Sequence, residues 1–129
     1  MGRLQKIVTF DFDQTILLED NSINHEMVTI IRFHAEQGHK CYIVTARCKE
    51  HETKKWMAAN QPDRVRVKDF IELHNLPIKQ VHFTNHEPKG ATLWRVGSTL
   101  HYDDKPEEIR SAKDYGIKGI LVKKSQKEE

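Results

Sequence analysis

The chain is short of cysteine, of long apolar runs and of net charge, and each shortage closes off a class of function. Its 129 residues include two cysteines, Cys41 and Cys48. They flank a strand end without the spacing of a metal knuckle and call for no disulfide, so the reducing cytoplasm is the expected setting. Apolar runs extend only a few residues, far short of the roughly 20 that a membrane-spanning helix needs. No leader pattern is visible. The expectation is therefore a cytoplasmic protein with no membrane partner. A net charge of +2 is too small to mark a nucleic-acid binder by itself. No internal repeat is present. The eight histidines show no pairing with Cys or Glu at zinc-ligand spacing, so zinc is not expected and most of them read as surface or packing residues.

What remains points to one compact enzyme domain. The length suits a single domain with a real core. With 37% hydrophobic and 31% charged residues, the apolar side chains must be concentrated in strands and helix stripes. The expected domain covers residues 1–124, and 125–129 form a charged tail expected to be disordered. Strand and helix signals alternate along the chain, as a doubly wound parallel sheet requires. Strands are expected at Ile7–Phe10, around Cys41–Thr45, and at Val81–Phe83, Thr99–Tyr102 and Ile120–Val122. Asn24 is placed to cap a helix carrying Met27, Ile30, Ile31 and Ala35, with Gly38 at its end. A second helix is expected from Pro62–Asp63, with Val67, Phe70, Ile71 and Leu73 inward and Pro77 ending it. Ala91–Val96 forms a short helix, and Glu107–Tyr115 another closed by Gly116.

The most informative segment is Asp11-Phe12-Asp13-Gln14-Thr15, directly after an apolar strand. Residues two apart in an extended chain point to one side. Asp11 and Asp13 are thus expected to crowd one spot, which a fold tolerates when a cation or a proton sits between them. Partners follow in order. Cys41–Thr45 is a strand ending in a hydroxyl, Lys89 precedes a short helix, and Leu100–Asp104 is a strand ending in the adjacent carboxylates Asp103 and Asp104. Each is bland alone, but their joint occurrence at successive strand ends is improbable by chance. In parallel α/β sheets, ligands bind beyond the carboxyl ends of the strands.

This ordered set resembles the haloacid dehalogenase (HAD) superfamily, and most of all its small capless members such as the phage-type polynucleotide 3′-phosphatase domains. Thr45-Ala46-Arg47 and Tyr102-Asp103-Asp104 are similar to the motifs of that group, and Gln14 stands where Gly or Asp is frequent. The resemblance implies a Rossmann-like sheet of about five parallel strands with helices on both faces and no cap, the first strand lying between the second and the fourth. It also implies Mg²⁺, held by Asp11, Asp103 and Asp104 with the backbone carbonyl of Asp13. Carboxylates and waters are the ligands this small, hard ion prefers.

The chemistry then expected is phosphomonoester hydrolysis through an aspartyl-phosphate. Asp11 attacks phosphorus, and Asp13 serves as acid and then base. Thr45, Lys89 and Thr15 bind phosphate oxygens. Arg47 is the further candidate for phosphate binding, since a guanidinium can grip two oxygens at once. An uncapped site suits a bulky phosphorylated substrate, and the basic residues Arg47, Lys49, Lys54, Lys55, Arg64, Arg66 and Lys68 favour a nucleic acid or nucleotide. A solvated helix face interspersed with Glu50 and Glu52 explains the same charges equally well. A phosphotransferase or mutase of the same fold, or a non-catalytic phosphate-binding module, is the alternative. A phosphorylation-receiver module is set aside because the order of its Asp pair and Lys is reversed here.

Overall fold

The computed structural model describes residues 4–123, so the expected domain limit at 124 and the tail 125–129 lie outside the described residues. The elements are β1 (Ile7–Phe10), α1 (His25–Glu36), β2 (Lys40–Thr45), a 3₁₀ turn (Lys49–Glu52), α2 (Lys54–Asn60), α3 (Val67–Leu73), β3 (Gln80–Phe83), α4 (Gly90–Val96), β4 (Ser98–Asp103), α5 (Pro106–Asp114) and β5 (Lys118–Leu121). All strand pairs are parallel, in the order β3-β2-β1-β4-β5. The chain builds outward from β1 to one side, then returns to the other. Such a reversal of strand order is where parallel sheets place their ligands, here at the carboxyl ends of β1 and β4.

The strands alternate faces as their sequences require. Val8, Phe10 and Ile43 join Met27 and Ile31 of α1 and Phe70 of α3 in the larger core. Val44 instead packs with Leu93 of α4, Ala112 of α5 and Ile117. Neighbouring residues of β2 thus face different helix layers, which places helices on both faces of the sheet.

Helix ends follow local chemistry where the sequence supplies it. The Asn24 side chain accepts from the backbone N–H of Glu26 and Met27, which opens α1. Gly38 takes a left-handed φ of 88° just past the end of that helix. α3 departs from expectation: it begins at Val67 rather than at Pro62–Asp63. Its first N–H is received by the Glu52 carboxylate at 2.9 Å, a cap from a residue distant in sequence. Leu73 is 77% exposed rather than inward. At 100° per residue it lies well off the stripe shared by Val67, Phe70 and Ile71.

α4 has no capping side chain of its own, and α5 supplies the acceptors. Glu108 receives the Lys89 N–H at 3.0 Å and the Ser111 hydroxyl receives that of Gly90 at 2.9 Å. This close approach needs glycine at position 90. A Cβ there would lie 2.4 Å from the Ser111 carbonyl oxygen and 2.5 Å from the Tyr115 ring. Gly90→Ala is therefore expected to lower stability by about 1–3 kcal/mol, the usual cost of overpacking. A urea denaturation midpoint equal to that of the parent protein would contradict this account of the α4–α5 contact.

Candidate active site

The site grows from the turn that follows β1. The Asp11 N–H donates to the Tyr102 carbonyl of β4 at 2.9 Å, so its backbone still belongs to the sheet. Phe12 then drops into the core with no exposed surface and meets Phe70 edge-on. Asp13 forms an isolated bridge with Leu17, and Gln14 takes a left-handed φ of 66°. That conformation strains a residue bearing a Cβ. Because β1 ends at Phe10 and the chain turns, Asp11 and Asp13 do not share a partner as an extended chain would have arranged. Asp11 faces Lys89, while Asp13 faces Arg47.

Both oxygens of Asp11 are held. Lys89 Nζ donates to Oδ1 at 2.7 Å and Thr15 Oγ1 donates to Oδ2 at 3.0 Å. Lys89 also donates to Asp103 Oδ2 at 2.6 Å. Its side chain is only 2% exposed. Asp103 is fully buried, and its Oδ1 receives the Lys105 N–H at 3.2 Å. Burial opposes the charge on Lys89, but Asp11 and Asp103 outweigh it and raise its pKa above the ordinary value. For Asp103, burial is outweighed by the hydrogen bond from His101 and the charge of Lys89, and its carboxyl lies below the usual range. Asp11 goes the other way: burial, reinforced by the neighbouring Asp103 charge, pushes it well above the usual range despite Lys89.

One ammonium therefore leaves the negative charge of this group of carboxylates incompletely balanced. Asp11, Asp103 and Asp104 each offer an oxygen within 4.8 Å of the others. Asp104 Oδ1 is buried with no hydrogen-bond partner. Hard oxygen donors in excess of positive charge, one of them orphaned, fit a divalent cation such as Mg²⁺. The Asp13 carboxylate is not in this group.

Arg47 grips Asp13 from the opposite side. Its Nε and Nη2 donate to the two Asp13 oxygens at 2.8 Å each. Nη1 donates to Glu52 at 2.9 Å and to the Val65 carbonyl at 2.6 Å. The guanidinium lies over the Phe12 ring, 4.9 Å from its centroid. Arg47 is thus buried and engaged with protein acceptors, whereas the Asp13 side chain remains 42% exposed. Thr45 is buried, and its Oγ1 accepts from the Arg47 N–H at 3.3 Å. Residues 84–86 are stitched to this segment by backbone bonds from Thr84, Asn85 and His86 to Thr45, Arg47 and Ala46. Asn85 and His86 both have left-handed φ and both are exposed.

Two residues read from sequence as bland are built into the site. Glu52, one of the acids on a supposedly solvated face, is buried between Arg47 and the start of α3. His101 is buried and donates to Asp103. The composition around Glu52 carries no sign of this. His101 stands two residues before Asp103 on the same strand, and that parity was the available signal.

No protein-family model and no curated protein matches the chain. Solved structures do. A chain of the Pnkp1/Rnl/Hen1 RNA repair complex matches with a TM-score of 0.70 at 12% identity, over 94% of this chain and 43% of its own length. A second structure of that complex gives 0.68 at 13% identity, over 95% of this chain and 47% of that one. A HAD family enzyme from Bacteroides thetaiotaomicron, an aspartate-to-alanine mutant in complex with magnesium and inorganic phosphate, gives 0.58 at 12% identity, over 95% of this chain and 96% of that one. The chain spans less than half the length of the repair-complex chains it matches. At these identities the likeness establishes the fold, a small HAD-like α/β domain.

Glu52 satisfies one backbone N–H and one arm of Arg47, so Glu52→Ala is expected to cost on the order of 1–3 kcal/mol, as buried donors left unpaired do. Urea unfolding of the purified variant reads this directly, and an unchanged midpoint would show the Glu52 contacts to be energetically idle.

Proposed function

We propose that the protein is a Mg²⁺-dependent phosphomonoester hydrolase that works through an aspartyl-phosphate on Asp11. The observation that carries this reading is the buried Lys89 ammonium joining Asp11 to Asp103 beside the orphaned Asp104 oxygen. Such an arrangement fixes a nucleophilic carboxylate next to a place for a divalent cation. Asp11, Asp103 and Asp104, with the backbone carbonyl of Asp13, would hold the ion, which supplies Lewis-acid polarisation of a phosphoryl oxygen when bound.

The side chains then have distinct tasks. Lys89 and Thr15 hold the Asp11 carboxylate so that one oxygen can attack phosphorus in line with the leaving oxygen. The Asp11 oxygen–phosphorus bond forms as the phosphorus–leaving-oxygen bond breaks. Asp13, open to solvent on one flank and anchored by Arg47 on the other, gives a proton to the departing oxygen. It then takes a proton from the water that attacks phosphorus, which releases phosphate and restores Asp11. Thr45 and Lys89 stabilise the charge on the transferring phosphoryl group. Arg47, fully engaged by protein acceptors, serves this scheme by aiming Asp13 and would reach phosphate directly only by letting go of it. Water as the final acceptor favours hydrolysis over transfer, because Asp13 supplies the base that water needs.

For the substrate we propose a nucleic-acid or nucleotide phosphate. A groove of about 670 Å³ runs beside edge strand β3, where Lys49, Lys54, Lys68 and Lys79 outnumber the acids Glu52 and Glu72 around a floor that includes Val81 and Phe83. Phe83 pairs in register with Thr45, so the groove begins next to the site. Cations over an apolar, partly aromatic floor suit a single-stranded phosphodiester chain. The likeness to an RNA repair complex points the same way.

The test is phosphate release from an aryl phosphate, mononucleotides, and 3′- and 5′-phosphorylated oligonucleotides, with Mg²⁺ or with chelator. Asp11→Asn is expected to abolish turnover, and full activity in that variant would overturn the covalent mechanism. Thr45→Ala is expected to fall by roughly 10²–10³-fold, the typical effect of losing one oxyanion donor. Activity of Thr45→Ala equal to wild type would remove that hydroxyl from the scheme.

A further inference from the structure

Beneath the carboxylates, the α4/α5 side of β1 and β4 carries a column of polar side chains, whereas the other side of the same strands is aliphatic and aromatic. Ser98 Oγ lies 2.8 Å from Thr9 Oγ1, which lies 2.8 Å from His101 Nδ1. His101 Nε2 in turn lies 2.8 Å from Asp103 Oδ2. All four residues are buried, and Thr9, His101 and Asp103 have no exposed surface. Polar groups in such a place cost free energy unless each finds a partner.

The donors can be assigned. An ionised carboxylate accepts and never donates, so His101 Nε2 carries a hydrogen and gives it to Asp103. Nδ1 is then the acceptor of the neutral ring, and the Thr9 hydroxyl donates to it. The alternative acceptor for that hydroxyl, the Leu100 carbonyl, is farther away at 3.3 Å. Ser98 can donate to Thr9 or to the Leu100 carbonyl at 3.2 Å. The donors therefore run one way, from the start of β4 toward Asp103. The far end of the column fixes both the tautomer and the plane of the ring.

Asp103 needs such a support. Its Oδ2 is shared between Lys89 and His101, but Lys89 is also bonded to Asp11. Lys89 is a long side chain held between two anions, whereas His101 is a short rigid ring locked by Thr9. We propose that His101 is a positioning residue for divalent-cation binding, its Nε2–H fixing the Asp103 carboxylate in the orientation that it presents toward Asp11 and Asp104. This assignment rests on the cation site of the proposed function. A histidine that merely fills the core would affect stability alone.

The experiment is calorimetric titration of Mg²⁺ into wild type, His101→Leu, His101→Gln and Thr9→Val, with urea midpoints measured on the same samples. Loss of an outer partner of a metal ligand typically weakens affinity by 10–100-fold. His101→Leu is expected to weaken Mg²⁺ binding by about that factor. His101→Gln, whose amide can donate to Asp103 from a similar place, is expected to recover most of the loss. Thr9→Val keeps the shape but removes the hydroxyl that orients the ring, and is expected to weaken binding several-fold even if His101→Leu fails to fold. Wild-type affinity in folded His101→Leu, or in Thr9→Val, would overturn the assignment while leaving the cation site standing. No Mg²⁺ binding by wild type would overturn the cation site, and the assignment with it.

Discussion

The rest of the structure depends on one buried ammonium held between two buried carboxylates. Lys89, Asp11 and Asp103 are all removed from water, at a desolvation cost that only close, well-aligned contacts can offset. Their positions come from separate parts of the fold. Register between β1 and β4 sets Phe10 beside Tyr102 and so brings the two aspartates that follow them together. Lys89 arrives from the start of α4, which α5 caps through Glu108 and Ser111. That α4–α5 contact in turn requires the missing side chain at Gly90. A structural detail more than ten residues from either aspartate therefore bears on whether the ammonium reaches them. The balance of charge is uneven, since carboxylates outnumber the ammonium; burial first, and the Asp103 charge after it, push the Asp11 carboxyl up despite Lys89.

Phe12 divides the labour of the two aspartates beside it. By burying itself between them it sends Asp11 to the enclosed side with Lys89 and Asp13 to the solvent-facing side under Arg47. Similar residues then sit in dissimilar surroundings, which is what the proposed division into nucleophile and proton carrier requires. Arg47, Glu52 and the start of α3 form a second charged assembly behind Asp13. Its purpose in the scheme is to keep the Asp13 carboxylate from wandering.

Much of this was legible in the sequence because its signals are local. Asn24 and Gly38 mark the ends of α1 by chemistry that acts over a few residues, and the β-branched and aromatic run at Ile7–Phe10 marks β1. Asp11, Thr45, Lys89 and Asp103 were noticeable because each stands at or near the end of a strand or the start of a helix. What local sequence does not carry depends on distant partners. The start of α3 is set by Glu52, fifteen residues earlier, so the local Pro62–Asp63 signal misplaced it. Charge at Glu52 and Arg47 was visible, but charge does not say which side chain is buried. The order of the strands came from family resemblance, since periodicity carries no record of which strands are neighbours. His101 shares the parity of Asp103, but a histidine in an apolar strand otherwise has the same local signature whether it fills space or supports a ligand.

The central claim is that Asp11 becomes covalently phosphorylated. The most direct measurement mixes the Asp13→Asn variant, in which loss of the proposed base is expected to slow breakdown of the intermediate, with an aryl phosphate and Mg²⁺. The mixture is quenched in acid and reduced with borohydride, and mass spectrometry locates the reduced acyl phosphate. The account predicts modification at Asp11, absent when chelator replaces Mg²⁺. Leaving-group release without modification at Asp11, or with modification at another residue, would contradict it.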